Sequence, residues 1–267
     1  MDRYFEIKSK ENPRYRSLAA LHDRKVARTQ GKVFIEGLRL CEDALKSGLV
    51  PETVILRSGE EDLLLKWKKD FPCVNSADIV VLTDSLFSKL SSTMNPQGMA
   101  LVVSAPDHSG DFPYEEGKSR YIVLEHLQDP GNMGTIIRMA DAFDYTAVLF
   151  TEDSVDPYNE KVLRASMGSC FHIPLISFSD SKAIFNRLRS LKICSVGAHL
   201  KGNDLRETSF PKNSALWIGN EANGLLELTS SCCDILIKIP MPGQAESLNA
   251  ASAASILGYL MAFSPDN

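Results

Sequence analysis

The chain has 267 residues, 44% of them hydrophobic, and a formal net charge of -5. This length suits one large or two small domains with packed cores. No apolar run reaches the roughly 18 to 20 residues that span a bilayer, and the charged N-terminus has no apolar signal segment, so we expect a cytoplasmic protein without membrane contact.

Cysteines and histidines are scattered along the chain. The six cysteines and five histidines lack the spacing of a metal site, and the cysteines do not form the pattern of a disulfide framework. We therefore expect no metal cofactor and reduced, structural thiols.

The net charge is distributed unevenly. Residues 1–39 contain ten Lys or Arg against five Asp or Glu, whereas the rest of the chain contains 19 against 29. A basic stretch on an acidic protein indicates contact with a polyanion such as RNA, although a solvated helix face explains it equally simply.

The first hundred residues alternate between short apolar strands and helices. Residues 13–29 predict one basic helix, and the segments KVFIEG, TVILRS, DIVVL and MALVVS predict strands with helices between them. This pattern predicts a small α/β domain over residues 1–105.

Residues 106–118 interrupt the alternation with two prolines and two glycines among polar residues, which is typical of a linker. The alternation then restarts over residues 119–267, with apolar strands separated by helices and a last helix from about Ser247 to Phe263. Such strands predict an α/β domain with a parallel sheet covered on both faces.

The segment LEHLQDPGNMGTIIRMADAF, residues 124–143, predicts a strand that turns through Gly131 and Gly134 into a helix. The G-x-x-G spacing differs from the G-x-G-x-x-G of a dinucleotide-binding turn. Asn132 suits the N-cap of the helix, and Arg138 lies more than a turn and a half further along. These residues alone leave open whether Asn132 is a plain cap and Arg138 a surface cation.

Two later segments also mix glycine, proline and polar residues. ALWIGNEANGL, residues 215–225, runs from an apolar strand into a glycine turn around Glu221. IKIPMPGQAESLNAASAASILGYLM, residues 237–261, begins irregularly because its two prolines remove backbone donors, and it continues into a helix rich in Ala and Ser. That helix suits either a buried core or a close contact with a second chain.

In this order, the motifs DPGNMGTIIRMA, VDPYNEKVLRASMGSCFHIPL, GNEANGL and IPMPGQAESLNAA resemble the SpoU (TrmH-like) family of RNA ribose 2′-O-methyltransferases, within the SPOUT superfamily of knotted methyltransferases. The resemblance covers about residues 121–261. The segment VFIEGLRLCEDAL is similar to the ribosomal-protein-like α/β substrate-binding domain that many members carry. Ala222 and Ala250 depart from a frequent glycine and a frequent valine of the family.

This resemblance implies a SPOUT methyltransferase domain with a deep trefoil knot over residues 119–267, after the linker and an RNA-binding domain over residues 1–105. It also implies that irregular loops at SVGAHL, WIGNE and IPMPGQAES hold S-adenosylmethionine. The implied cofactor-binding residues are Ala198, Gly219, Asn220, Ile239, Met241 and Leu248. The implied catalytic residues are Asn132, Arg138, Glu221, Ser247 and Asn249.

The family reaction moves the sulfonium methyl group of S-adenosylmethionine to a ribose 2′-hydroxyl. Because a guanidinium stays protonated in proteins, we expect Arg138 to stabilise the developing alkoxide while water or a phosphate oxygen takes the proton. By resemblance, Asn132 and Glu221 organise the loops around Arg138, and Ser247 and Asn249 shape the pocket for cofactor and ribose.

The resemblance also implies partners. Family members are homodimers, so we expect the last helix at an interface, with both protomers completing each site. The extra N-terminal domain favours ribosomal RNA over transfer RNA as the substrate, and Gly131 and Gly134 are expected to leave room for this RNA.

Three alternatives remain at this point. The substrate is transfer RNA, the chain binds RNA without catalysis, or the chain is a nicotinamide-dependent enzyme of the Rossmann type. The G-x-x-G spacing argues against the last, and the five intact polar positions argue against the second. The nucleotide that is modified, and whether the role is housekeeping or antibiotic resistance, stay open.

Overall fold

The computed structural model describes residues 4–108 and 112–263, so the segment expected to be a linker lies partly outside the described residues. The chain divides into two compact units, Met1–Pro106 and Asp107–Asn267. Each unit contains one sheet.

The first unit has a mixed five-stranded sheet in the order β1-β4-β3-β5-β2, in which β5 runs antiparallel to both of its neighbours. Its elements are β1 (Tyr4–Ile7), α1 (Pro13–Ala20), α2 (Arg24–Gln30), β2 (Lys32–Glu36), α3 (Leu38–Lys46), β3 (Pro51–Arg57), α4 (Glu61–Asp70), a 3₁₀ turn (Pro72–Ser76), β4 (Asp78–Leu82), α5 (Asp84–Leu90) and β5 (Met99–Ser104).

The prediction of one helix over residues 13–29 was wrong. Two helices form because Asp23 caps the second one, and its Oδ1 accepts hydrogen bonds from the backbone N–H groups of Lys25 and Val26. Aspartate favours such a cap over a helix interior. The sequence reasoning also missed β1, whose charged surroundings hid a short strand that pairs with β4.

The second unit has a six-stranded sheet in the order β11-β9-β10-β6-β7-β8, and all its strand pairs are parallel. This confirms the predicted α/β unit with a parallel sheet. Its elements are β6 (Arg120–Leu124), α6 (Pro130–Ala142), β7 (Ala147–Thr151), α7 (Glu160–Ser166), a 3₁₀ turn (Ser169–Phe171), β8 (Leu175–Phe178), α8 (Ser181–Ser190), β9 (Cys194–Asp204), a 3₁₀ turn (Leu205–Glu207), β10 (Ser214–Ile218), α9 (Glu227–Cys232), β11 (Ile235–Lys238) and α10 (Ala250–Phe263).

Both faces of the second sheet are buried. On one face, Tyr121 and Val123 of β6 join a core with side chains of α8, where Phe185 stacks on Trp217 with 4.0 Å between ring centroids. On the other face, Ile122 and Leu124 are fully buried as well. Successive strand residues point to opposite faces, so burial of both sets explains the nearly continuous apolar strands.

The last helix packs closely on α6. A Cβ added to Gly258 of α10 would lie 2.8 Å from the Met139 sulfur, so a larger residue there requires the Met139 side chain to move. The Tyr145 hydroxyl donates a hydrogen bond to the Gly258 carbonyl at 2.9 Å. The helix begins at Ala250, and Ser247 therefore precedes it. Within the described ranges, no helix has both the length and the apolar character needed to cross a bilayer.

Candidate active site

Polar side chains gather where β6 and β10 end. The two strands are parallel neighbours with Leu124 opposite Ile218, so their carboxyl ends meet at one edge of the sheet. From β6 the chain continues into β7 and β8 on one side, whereas β9 and β11 lie beyond β10 on the other side. Ligands of open parallel sheets bind at such a reversal of strand order.

Glu221, in the turn after β10, is held by the segment that begins α6. Its Oε1 accepts hydrogen bonds from the backbone N–H of Asp129 at 2.9 Å and from Nδ2 of Asn132 at 3.2 Å. Its Oε2 accepts a hydrogen bond from the backbone N–H of Gln128 at 3.2 Å. A helix N-terminus offers free N–H groups and a partial positive charge, so it stabilises this carboxylate.

The ionisation of Glu221 reflects these contacts. Partial burial, the largest single influence, raises the pKa of Glu221. Four hydrogen bonds to the carboxylate have the opposite effect, and together they outweigh burial and lower the pKa below its ordinary value of 4.5. They come from the backbone of Asp129, Gln128 and Glu221 itself and from the Asn132 side chain. Glu221 is therefore a carboxylate at neutral pH and accepts hydrogen bonds only.

Asn132 links this turn to the start of the last helix. Its Oδ1 accepts a hydrogen bond from Nδ2 of Asn249 at 2.8 Å, and Oδ1 of Asn249 accepts one from the backbone N–H of Ala251 at 2.9 Å. The structure thus joins Glu221, Asn132 and Asn249, one residue from each of three distant motifs, into a hydrogen-bonded chain. We call these three residues the polar chain.

The expectation that Asn132 caps α6 was wrong. The cap is Asp129, whose Oδ1 accepts a hydrogen bond from the backbone N–H of Asn132 at 2.8 Å. Because Asp129 satisfies the helix end, the side chain of Asn132 is free to bind Glu221 and Asn249.

The turn after β10 is closed by its own residues. Asn220 and Gly224 exchange two backbone hydrogen bonds, and Nδ2 of Asn220 donates to the His126 carbonyl at 2.9 Å. A Cβ on Gly219 would lie 2.1 Å from the carbonyl carbon of Gly224, so only glycine fits at this position. The close approach of the turn to itself explains this glycine.

Arg138 lies apart from the polar chain. It is exposed on the same face of α6 as Gly131 and Thr135, whereas Asn132 is buried. Six helical residues advance the chain by about 9 Å and rotate it well away from the starting face. Arg138 forms no ion pair or hydrogen bond with the residues that the structure describes. Within this chain, the guanidinium therefore does not reach the polar chain.

The two glycines of α6 have different surroundings. A Cβ on Gly134 would lie 2.5 Å from Cβ of Ala165, so Gly134 lets α6 and α7 approach closely. The expectation that Gly134 leaves room for RNA was wrong, because helix packing fills that space. Gly131 is exposed, and a Cβ there would meet only the Asp129 side chain.

Comparisons with known proteins bear on this arrangement. Residues 119–259 match the model of the SpoU rRNA Methylase family, which is more than half of the chain. The chain belongs to the SpoU rRNA methylase family. Residues 12–101 match the MRM3-like substrate binding domain.

Two relatives of this SpoU chain align along nearly its whole length. It is 32% identical to the 23S rRNA (guanosine(2553)-2′-O)-methyltransferase of Bacillus subtilis, over 95% of this chain and 98% of the relative. It is 30% identical to the 23S rRNA (uridine(2479)-2′-O)-methyltransferase of Streptomyces viridochromogenes, over 93% of this chain and 88% of the relative.

Two crystal structures with bound AdoMet (S-adenosylmethionine) resemble the SpoU chain in fold. The rRNA methyltransferase of Sinorhizobium meliloti superposes with a TM-score of 0.85 and 28% identity, over 97% of each chain. The SpoU methyltransferase AviRb of Streptomyces viridochromogenes gives a TM-score of 0.85 and 26% identity, over 94% of this chain and 97% of the other.

The residues expected to bind the cofactor follow three neighbouring strands of this SpoU chain. Gly219 and Asn220 follow β10, Ile239 and Met241 follow β11, and Ala198 lies in β9 between them. SVGAHL is not a loop as expected, because it belongs to β9. The irregularity lies instead in the pairing of β9 with β11. Leu236 of β11 lies opposite Gly197, and the next residue, Ile237, lies opposite Asn203, so residues 198–202 have no partner in β11.

Leu248, the remaining residue expected to bind the cofactor, directly precedes Asn249 of the polar chain and is 40% exposed. An exposed apolar side chain next to polar groups suits a ligand that has apolar and polar parts, such as an adenosyl group. Ser247 is exposed in the irregular segment before α10, and no hydrogen bond joins its side chain to the described residues.

Among residues 4–108 and 112–263, no three His, Cys, Asp or Glu side chains group together as a metal site requires. The first unit has a depression of about 520 Å³, but its cations Arg14 and Lys32 are paired with Asp78 at 2.6 Å and Glu52 at 2.8 Å. None of the expected site residues lines it.

Sequence reasoning missed two residues beside the site. Glu125 follows β6 and is fully buried, and His126 adopts a φ of 53° while its Nδ1 pairs with Asp153. A left-handed φ is uncommon for residues other than glycine, and His adopts it more often than most of them, as do Asn and Asp. The burial of Glu125 leaves no signal in the sequence, because a glutamate at a strand end is usually exposed. The φ of His126 leaves none either, because it depends on the folded backbone.

Proposed function

We propose that this SpoU family member transfers the methyl group of S-adenosylmethionine to a ribose 2′-hydroxyl of ribosomal RNA. The observation that carries the proposal is the polar chain, because it connects the three motifs at the edge of the sheet where ligands of such folds bind. The relatives named as 23S rRNA 2′-O-methyltransferases, similar along almost the whole chain, support the same reaction.

S-adenosylmethionine, when bound, supplies an electrophilic sulfonium methyl group, so the protein needs only to position the hydroxyl and manage its charge and proton. Ala198, Gly219, Asn220, Ile239, Met241 and Leu248 hold the cofactor at the carboxyl edge of β9, β10 and β11. Asn132, Glu221, Ser247 and Asn249 arrange the ribose side of this site.

Arg138 stabilises the negative charge that develops on the 2′-oxygen as its proton leaves. The bond to the methyl carbon consumes this charge, and the electron pair of the broken S–C bond stays on sulfur. The guanidinium stays protonated, so the hydroxyl proton leaves to water or to a phosphate oxygen. Because Arg138 faces away from the polar chain of its own protomer, we assign it to the site of a second copy.

A homodimer through α10 supports that assignment. Ser252, Ile256, Tyr259 and Phe263 are all exposed at the spacing of one helix face. Phe143 at the end of α6 contacts both Tyr259 and Phe263, with ring centroids 5.6 and 5.8 Å apart. This apolar stripe thus borders the helix that carries Arg138, and a second copy that covers it approaches Arg138.

We further propose the domain boundaries and the knot of the family. Residues 1–105 bind the RNA, residues 106–118 form the linker, and residues 119–267 form the methyltransferase domain. Both the match of residues 12–101 to a substrate-binding model and the basic stretch support the first of these. The deep trefoil knot is proposed for the methyltransferase domain. It accords with the strand order, in which β9 and then β11 lie on the side of β10 away from β7.

The direct test is transfer of a labelled methyl group from S-adenosylmethionine to RNA by the purified chain. Ribosomal RNA and transfer RNA from cells that lack the gene are the two substrates. We expect label in ribosomal RNA and none in transfer RNA. Label in transfer RNA alone contradicts the substrate, and cofactor binding without label in either RNA contradicts catalysis.

Mixed dimers test the shared site. We expect Arg138→Ala and Asn132→Ala proteins to be inactive separately, and a mixture that exchanges subunits to regain part of the activity, because one of its two sites has neither substitution. Chromatography with light scattering measures the dimer, and we expect Tyr259→Asp to give monomers. No recovery in mixtures proven to exchange subunits contradicts the assignment of Arg138 to the partner's site.

A further inference from the structure

Glu125 is a buried carboxylate that the proposed reaction does not use. It comes directly after β6 and has an exposed fraction of 0%. Burial of an ionised group is costly unless hydrogen bonds satisfy it. The partners found for its side chain in the described part of the chain are a backbone N–H and two hydroxyl groups, all of them neutral.

These partners belong to two segments that lie far from Glu125 in sequence, the start of α8 and the start of α9. Oε2 of Glu125 accepts a hydrogen bond from the backbone N–H of Leu226 at 2.9 Å. Oε1 accepts hydrogen bonds from the hydroxyls of Ser181, at the start of α8, and Thr229, in α9. Glu125 therefore cross-links β6 to α8, to α9 and to the residue that ends the turn after β10.

The contact with Leu226 complements that of Glu221. Residues 219–226 form the loop between β10 and α9, and Glu221 reaches from this loop to the backbone N–H groups of Gln128 and Asp129. Glu125, in the segment after β6, accepts a hydrogen bond from the backbone N–H of Leu226. The segment after β6 and the 219–226 loop thus each supply a carboxylate that accepts hydrogen bonds from the backbone of the other.

We propose that Glu125 is a positioning residue for the methyl transfer, acting by fixing the end of the 219–226 loop. Glu221 sits on that loop and holds Asn132, so the location of the polar chain depends on where the loop is fixed. The inference rests on the proposed function. Glu125 touches neither substrate nor cofactor in this proposal, and its effect passes through Glu221.

Two substitutions separate positioning from burial of a charge. Glu125→Met has similar length but no strong acceptor, so the Leu226 N–H loses its partner. Glu125→Gln keeps a carbonyl oxygen for that N–H, and its NH₂ group can donate to the Ser181 and Thr229 hydroxyl oxygens. If Glu125 acts by positioning the loop, the Gln variant retains the methylation rate that the Met variant loses.

Glu36 provides a matched control in the first unit. It is 8% exposed and accepts hydrogen bonds from the backbone N–H and hydroxyl of Ser92 and from the hydroxyls of Ser91 and Thr93. Glu36→Met therefore removes another buried, hydroxyl-bonded carboxylate, far along the chain from the polar chain.

The measurement is the single-turnover rate of ribosomal RNA methylation by the full chain at saturating S-adenosylmethionine and RNA, well below every melting temperature. We expect Glu125→Met to lower this rate by about 10- to 100-fold, because small misplacements cost that much. Glu125→Gln and Glu36→Met are expected to react at close to the wild-type rate, although Glu36→Met melts at a lower temperature.

A folded Glu125→Met protein with the wild-type rate overturns the inference, as does an equal loss in Glu36→Met. If Glu125→Met does not fold, Thr229→Val replaces it in the test, because this variant removes one of the three donors to Glu125. We expect a smaller loss of methylation rate, and an unchanged rate overturns the inference. A wild-type protein that binds the cofactor but methylates no RNA overturns the proposed function as well, so the two failures are distinguishable.

Discussion

Each unit has a buried glutamate at the carboxyl end of a strand, Glu36 in β2 and Glu125 after β6, and the two bind different sets of partners. In the first unit, Glu36 at the end of β2 accepts hydrogen bonds from three consecutive residues, Ser91, Ser92 and Thr93. These donors belong to one loop. Glu36 therefore fixes the local path of that loop.

In the second unit, Glu125 binds donors from α8, from α9 and from the end of the 219–226 loop. The same chemistry here connects segments that lie far apart in sequence. Because the polar chain is built from such connections, a substitution in the second unit is expected to change the reaction, whereas one in the first unit changes local stability or RNA binding. The following predictions test this contrast.

The largest effect is expected at Arg138. Replacing it with Ala removes the charge that stabilises the developing alkoxide, and loss of one such group costs about 100- to 1000-fold in rate. Arg138→Lys keeps the charge without the planar donors, so we expect it to be strongly impaired as well. Single-turnover methylation measures both, and Lys161→Ala on α7 is the exposed control. A Lys variant with nearly full activity rules out a specific role for the guanidinium.

A smaller effect is expected for Glu221→Gln. The carboxylate faces three donors, so the new NH₂ group opposes at least one of them and the hydrogen bonds that hold Asn132 weaken. Because Glu221 is exposed, water solvates the displaced group and the fold is retained. We expect a slower reaction with cofactor still bound, as measured by single-turnover rates and calorimetry. Wild-type rates in this variant contradict a role for the polar chain.

The pKa of Glu221 adds a pH dependence. Because folding lowers this pKa below 4.5, the ionised side chain stabilises the fold at pH values above 4.5, and this contribution disappears as pH falls through the depressed pKa. We expect the difference in melting temperature between wild type and Glu221→Gln to shrink on acidification from pH 7. A difference that stays constant to pH 3 contradicts the lowered pKa.

The smallest effect on the reaction is expected at the glycines of α6. Gly134→Ala forces a methyl group to within 2.5 Å of Ala165, and overpacking costs about 1 to 3 kcal/mol. Gly131 is exposed, and the Cβ of Gly131→Ala meets only the capping Oδ1 of Asp129, at 3.0 Å, so a small shift of that side chain accommodates it. We expect chemical denaturation to show a clearly larger loss of stability for Gly134→Ala than for Gly131→Ala. Equal stability of the two variants contradicts the packing role of Gly134.

Local patterns predicted most of the fold but not the links between segments. Apolar strands separated by helices predicted the parallel sheet, since both faces of such strands are buried. Motif resemblance selected Asn132, Glu221 and Asn249, which the structure joins by hydrogen bonds. It gave no indication that Asp129 caps α6 or that Arg138 lies on another helix face, because these depend on backbone direction at a single turn.

Glu125 illustrates the remaining gap. As a glutamate at a strand end it is typical of a solvated position, and only the folded chain brings Ser181, Leu226 and Thr229 around it. The sequence also did not predict that residues 198–202 of β9 have no partner in β11. This register depends on Gly202, where a Cβ would lie 2.5 Å from the Ile237 nitrogen. Contacts between distant segments leave little trace in one sequence.

The chemical position of the transferred methyl group decides whether this chain methylates ribose. Ribosomal RNA from cells lacking the gene is methylated by the full chain, digested to nucleosides and analysed by mass spectrometry. We expect a ribose 2′-O-methyl nucleoside, with the phosphodiester beside it resistant to alkali because the 2′-oxygen is blocked. A methyl group found on a base, or no new methylated nucleoside, would contradict this expectation.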